Sequence, residues 1–199
     1  MQSNVCKIEN GTKDLAAILK ESEKVAVYNE LTHKQTLQLR LICEEIDGML
    51  PNIIDDFNGD FWIDFEDGVC KVNVSLRFNE YTADKKEGLV GIAKNKKNAA
   101  NVGIVGKIRS ALEDAFLDNE AIRGAGMMAD TFYYSPDVHD RMDYSYQWSL
   151  EQYRMNVKAK AKTEEWDELE KSVIASVADD VIVGVKGKSA DIVVIKKFA

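Results

Sequence analysis

Apolar positions along this chain repeat with two periods, and the switches between them mark the elements. From Asp14 to Glu30, Leu15, Ile18, Leu19, Ser22, Val25 and Ala26 recur at helical spacing, which predicts an amphipathic helix. Thr32 is a suitable N-cap for a second helix over about 34–54. Its apolar face comprises Leu39, Ile42, Cys43, Ile46, Met49, Leu50 and Ile53. Pro51 predicts a kink or break near Gly48 to Leu50, because proline removes a backbone donor and crowds the preceding turn. Strict alternation then predicts two strands, Asp60 to Phe65 and Cys70 to Phe78, joined by a tight turn at Glu66-Asp67-Gly68. A shorter alternation at Val5 to Ile8 predicts an edge strand.

The second half is less regular. Val102 to Phe116 reads as a helix, Asp118 to Tyr144 as a loop or lid-like insertion, and Ser145 to Lys160 as another helix. Thr163 is the expected N-cap of a further helix, with Glu164 and Glu165 in its first turn and Trp166, Leu169, Val173, Ile174 and Val177 on its apolar face. VIVGVKG and SADIVVIKKF predict a closing hairpin around Lys186 to Lys188. No internal repeat and no linker divides the chain, so 1–199 is expected to be one α+β domain with an insertion at about 80–162. Its expected architecture is a two-layer α/β sandwich, a mostly antiparallel sheet with helices on one face.

Composition narrows the function classes. The formal net charge of −8 disfavours nucleic acid or an anionic membrane as the main partner. No apolar run reads as a signal peptide or membrane span, so a cytoplasmic protein is expected. The three cysteines, Cys6, Cys43 and Cys70, are widely spaced within apolar patterns and read as reduced, buried thiols. The only histidines, His33 and His139, lie in polar surroundings, so neither a His-based triad nor a zinc site is expected, and no metal ligand set is assigned.

Two places carry candidate chemistry. In RLICEEIDGML, Arg40 to Leu50, Glu44 and Glu45 are adjacent carboxylates inside a core helix. Glu is almost never fully buried unless it is paired or working. The helical period turns Glu44 away from Ile46, toward Leu37, Leu41 and Gly48. Glu44 is then either a half-buried partner of Arg40 or a carboxylate lining a ligand site. The second place is the basic window holding Lys94, Lys96, Lys97, Lys107 and Arg109, with no acidic residue between Glu87 and Glu113. It reads either as a solvated face or as a site for a phosphate or an acidic partner. Within it, Gly103, Gly106 and Lys107 precede a helix in a way that suits an anion.

The order helix, helix, two strands, irregular region, helix, two strands resembles the GHKL fold, the histidine-kinase-like ATPase domain, and most closely the bacterial anti-sigma-factor serine kinases. The resemblance covers about 5–78 and 163–198 and not 80–162. LRLICEEIDGML stands where that family carries its N-box, Glu-x-x-x-Asn, and SVADDVIVGVKGKSADIVVIKKF resembles its terminal pattern. The resemblance implies a catalytic role for Glu44, as general base orienting the attacking group. It implies a nucleotide site at Gly48, where the family's magnesium-holding Asn is replaced, and at Gly103, Gly106, Lys107 and Arg109 as a displaced glycine box. The family's Asp-x-Gly-x-Gly has no counterpart in Asn79-Glu80-Tyr81-Thr82-Ala83-Asp84.

The implied ligand is ATP, with magnesium only alongside it, and the implied partners are another protein and a second copy of the chain. Two function classes follow. One is an ATP-binding regulator related to the serine kinases, with ATPase or serine/threonine kinase activity reduced or lost. The other is a non-catalytic protein-interaction module on the same fold, a pseudoenzyme, favoured by the missing Asn and the missing Asp-x-Gly-x-Gly.

Overall fold

A computed structural model describes residues 1–9, 15–54, 57–78, 104, 106–109, 146–159, 172–186 and 188–198. The expected loop at Asp118 to Tyr144, and most of the expected helices at Val102 to Phe116 and from Thr163, lie outside the described residues. The strands are β1 (Cys6–Glu9), β2 (Phe57–Glu66), β3 (Val69–Phe78), β4 (Tyr146–Ser149), β5 (Asp180–Lys186) and β6 (Ser189–Lys197). The helices are α1 (Leu15–Tyr28), α2 (His33–Ile53), α3 (Leu150–Ala159) and α4 (Val173–Val177). The strands form one six-stranded sheet in the order β1-β2-β3-β6-β5-β4. Every neighbouring pair is antiparallel, so the α+β class and the antiparallel sheet both hold.

The two hairpins set the register. Glu66 pairs with Val69, leaving Asp67 and Gly68 as a two-residue loop with φ of 49° and 75°. Positive φ at both centres is what a type I′ turn needs to match the strands' twist, and Asp-Gly supplies it at low cost. In β5–β6, Lys186 pairs with Ser189 as the sequence predicts. One face of the sheet then presents Phe61, Ile63 and Phe65 of β2, Cys70, Val72, Val74 and Leu76 of β3, Val181, Val183 and Val185 of β5, and Ile192 and Val194 of β6. These join Ile18 and Val25 of α1, the whole predicted apolar face of α2, and Leu150 and Ile174, in one buried cluster. On the opposite face, Trp62 Nε1 and Asn73 Nδ2 both donate to Asp64 Oδ2, at 2.9 and 3.0 Å.

Glycine is required at position 59. A Cβ there would lie 2.2 Å from the Ser75 carbonyl oxygen of β3. β2 can stay paired with β3 at this point only without a side chain.

Three sequence expectations are corrected. The α2 helix is not broken near Pro51: helical structure continues to Ile53, and the Ile54 N–H donates to the Leu50 carbonyl at 3.1 Å. Proline costs one bond in the final turn, while Met49, Leu50 and Ile53 on that turn are buried. The expected helix from Ser145 begins instead as β4, because Tyr146 to Ser149 pair with β5 before the chain turns helical at Leu150. The expected helix from Thr163 does not run unbroken to Val177: Ser172 is extended, with φ −70° and ψ 130°, and α4 begins after it, residues 163–171 lying outside the described residues. Asp180 binds this corner together. Its carboxylate accepts from Ser149 Oγ at 3.1 Å and from the Glu151 N–H at 2.9 Å, which caps α3. Arg154 reaches from α3 to the carbonyls of Asp179 and Ala175.

A buried carboxylate that the apolar pattern did not single out ties the N-terminal segment to α1. Glu21 is 7 % exposed. It accepts from the Asn4 N–H at 3.2 Å, from Asn4 Nδ2 at 3.2 and 3.3 Å, and from Lys24 Nζ at 2.5 Å. Burial alone would raise its carboxyl pKa, but the hydrogen bonds from Lys24 and Asn4 outweigh burial and hold it below the ordinary 4.5. A carboxylate with a depressed native pKa stabilises the fold above its unfolded pKa and loses that contribution as pH falls through the native value. Glu21→Gln is expected to cost about 1–3 kcal/mol in urea denaturation at neutral pH. The gap to the parent protein should close as the pH is taken below 4.5; a deficit independent of pH would refute this role.

Candidate functional site

Helix α2 is fixed before it reaches Glu44. The Thr32 hydroxyl accepts from the Gln35 N–H at 3.4 Å, and Gln35 Oε1 accepts from the Thr32 N–H at 2.9 Å, a capping box. Seven apolar residues then face the core, Leu39, Ile42, Cys43, Ile46, Met49, Leu50 and Ile53, the same seven that the period predicts. With that face committed, the helix phase leaves Glu44 at the core's margin, its side chain 36 % exposed. Arg40 Nε donates to Glu44 Oε1 at 2.9 Å, the i,i+4 geometry of one helix face. The same guanidinium stands 3.7 Å from Glu23 Oε1 on α1, so one cation sits between two carboxylates from two helices.

Gly48, one turn on, is exposed, and a Cβ added to it would meet nothing within 4 Å. Its carbonyl accepts from Asn52 Nδ2 at 3.1 Å. The position thus offers open space and no side-chain ligand atom.

The basic window is only partly described. Gly103 lies outside the described residues. Residues 106–109 are helical, with Gly106 buried, Lys107 and Arg109 half-buried, and Ile104 and Ile108 in the main core. Lys107 Nζ lies 4.9 Å from the centre of the Tyr153 ring on α3, a cation–π contact. This turn is packed against the fold through its isoleucines.

The thiols of Cys43 and Cys70 are poorly suited to act as nucleophiles. Burial pushes the Cys43 thiol pKa well up, and the neighbouring Cys70, Glu44 and Cys6 push it further. Cys70 is pushed up to about 12 by burial and by Asp64. The thiolate is the reactive form, so both stay inert near neutral pH. Cys6 is half-buried, and all three are free of disulfides.

One concavity lies away from both candidate places, on the outer strands. It is an open recess of about 320 Å³ lined by Lys7, Glu9, Asn58, Asp60 and Arg77. Lys7 Nζ and Asp60 Oδ1 pair across β1 and β2 at 2.5 Å. Sequence reasoning did not assemble this group, because it forms only once three strands lie side by side. Among the described residues, no group of three or more His, Cys, Asp or Glu is arranged to hold a metal ion. No helix among them is long and apolar enough to cross a membrane.

Comparison with protein-family models and with curated proteins finds no match to this chain.

An exposed i,i+4 ion pair contributes only about 0.3–0.5 kcal/mol. Glu44→Gln is therefore expected to leave the denaturation midpoint within about 1 kcal/mol of the parent protein. A loss of several kcal/mol would show that Glu44 is a buried structural partner.

Proposed function

We propose that the chain is a regulatory protein on a histidine-kinase-like ATPase scaffold that works by binding a protein partner, with magnesium-nucleotide chemistry lost. The order of strands and helices supports the scaffold, with two helices before the first long hairpin and a second hairpin at the end of the chain. The observation that carries the loss of chemistry is Gly48. Phosphoryl transfer depends on positioning and charge stabilisation, with the metal bridging the phosphates. Magnesium requires oxygen ligands in near-octahedral geometry. Four residues after Glu44, where the resembling family carries Asn, this helix has no side-chain donor, and the Gly48 carbonyl is already engaged by Asn52. Glu44 Oε1 accepts from Arg40 Nε at 2.9 Å, a bond that competes with the one a general base would make to the attacking group.

Calorimetric titration of the purified chain with ATP, with and without magnesium, tests this reading. No magnesium-dependent binding is expected up to millimolar ATP. Micromolar, magnesium-dependent binding would overturn it and restore the ATP-dependent kinase or ATPase reading. Equal binding with and without magnesium would uphold the loss of magnesium chemistry and direct attention to Gly106, Lys107 and Arg109 as an anion site without catalysis.

A further inference from the structure

The outer side of the α1–α2 hairpin carries an apolar strip that the core does not use. Val27 is 79 % exposed and Leu37 is 50 % exposed. The contact between Glu23 on α1 and Arg40 on α2 fixes which positions of the two helices stand abreast. Val27 lies four residues beyond Glu23, and Leu37 three residues before Arg40. The two helices run antiparallel through a short turn, and residues three or four apart share a helix face. Val27 and Leu37 therefore stand abreast, one turn closer to the loop than the ion pair. Tyr28, the residue after Val27, is itself 72 % exposed.

Along α2 the strip continues through half-buried Leu41 and Glu44 to exposed Gly48, at spacings of four, three and four residues. Eleven residues at 1.5 Å each give a row of about 16.5 Å, the length of roughly three helical turns. Among the described residues nothing lies within 4 Å of a Cβ placed at Gly48, so a neighbouring backbone can approach closely at that end.

Charge selects the kind of occupant. On this face Glu23, Glu44 and Glu45 stand with Arg40 and exposed Lys20, three carboxylates against two cations, which leaves one net negative charge at the rim of the strip. At the hairpin end, exposed Glu30 and Lys34 offset one another, and the whole chain carries −8. An apolar seam with an acidic rim complements an amphipathic helix whose polar flank is basic.

We propose that the Val27–Leu37–Leu41 strip is the docking surface for such a helix of a partner protein, one that presents leucine-type anchors and at least one flanking Lys or Arg. This deepens the partner-binding reading above and rests on it. Leu37 and Val27 anchor the partner's apolar side chains, Glu23 and Glu44 receive its cation, and Gly48 admits its far end.

The test uses the full chain and a fluorescein-labelled model helix of leucine and lysine, LKKLLKLLKKLLKL, read by fluorescence anisotropy at physiological salt. Micromolar binding is expected, weakened at least about tenfold by Leu37→Ser and by Val27→Ser. Both side chains are exposed, so the denaturation midpoints should not move, which separates lost docking from lost folding. The proposal is overturned if both serine variants bind as tightly as the parent. It is equally overturned if a control peptide with serine in place of leucine binds as well, or if the parent chain does not bind. None of these results bears on the nucleotide titration: magnesium-dependent ATP binding would sink the pseudoenzyme reading without changing the peptide result.

Discussion

Burial of one face of α2 against the sheet is the interaction on which the rest of the molecule depends. Its seven inward residues are all within 7 % of full burial. Burying a single Leu, Ile or Met contributes about 1.5–3 kcal/mol relative to exposure. Those residues form one buried cluster with Phe61, Ile63 and Phe65 from one hairpin and Val181, Val183 and Ile192 from the other. The commitment is strong enough to carry the helix past Pro51. It also fixes the helix phase, and so places Glu44 and Gly48 on the other side without any further interaction.

The proposed docking surface is a by-product of that constraint. Once the inner face is spoken for, the row from Leu37 to Gly48 lies outside the seven buried positions of the helix, and an ion pair worth little to stability occupies its middle. A scaffold of this kind can lose a metal ligand at one position and keep its shape. Change at Gly48 or Glu44 costs the core almost nothing, whereas change at Ile46 opens a cavity. The proposed passage from nucleotide chemistry to partner binding is therefore cheap in folding terms.

Where the sequence could be read, a single local rule was enough. The helical period returned all seven buried positions of α2, and Asp67-Gly68 returned the β2–β3 register, because each depends on neighbours within a few residues. The off-core position of Glu44 and its pairing with Arg40 follow from the same period. Glu23 as the third member of that cluster does not, since it comes from another helix. The errors share a cause. Tyr146 to Ser149 are four residues, too few to separate strand from helix by period, and only pairing with β5 decides them. Glu21 sits among the polar-looking positions of α1 and is buried by a segment that begins at Asn4. The extended Ser172 at the start of α4 leaves no mark in an apolar pattern that runs from Trp166 to Val177. The recess bounded by Lys7, Asp60 and Arg77 needs three strands in register before it exists.

Amide hydrogen exchange of the native chain tests the central claim most directly, because it measures how α2 opens relative to the sheet. If the inner face of α2 locks the two layers together, its amides from Leu39 to Leu50 should exchange only through global unfolding, in the same slowest class as β2, β3 and β6. Amides of α2 that open independently, orders of magnitude faster than those of the sheet, would contradict the account. The helix would then be an adjustable element, and Glu44 and Gly48 would not have a fixed place on its outer side.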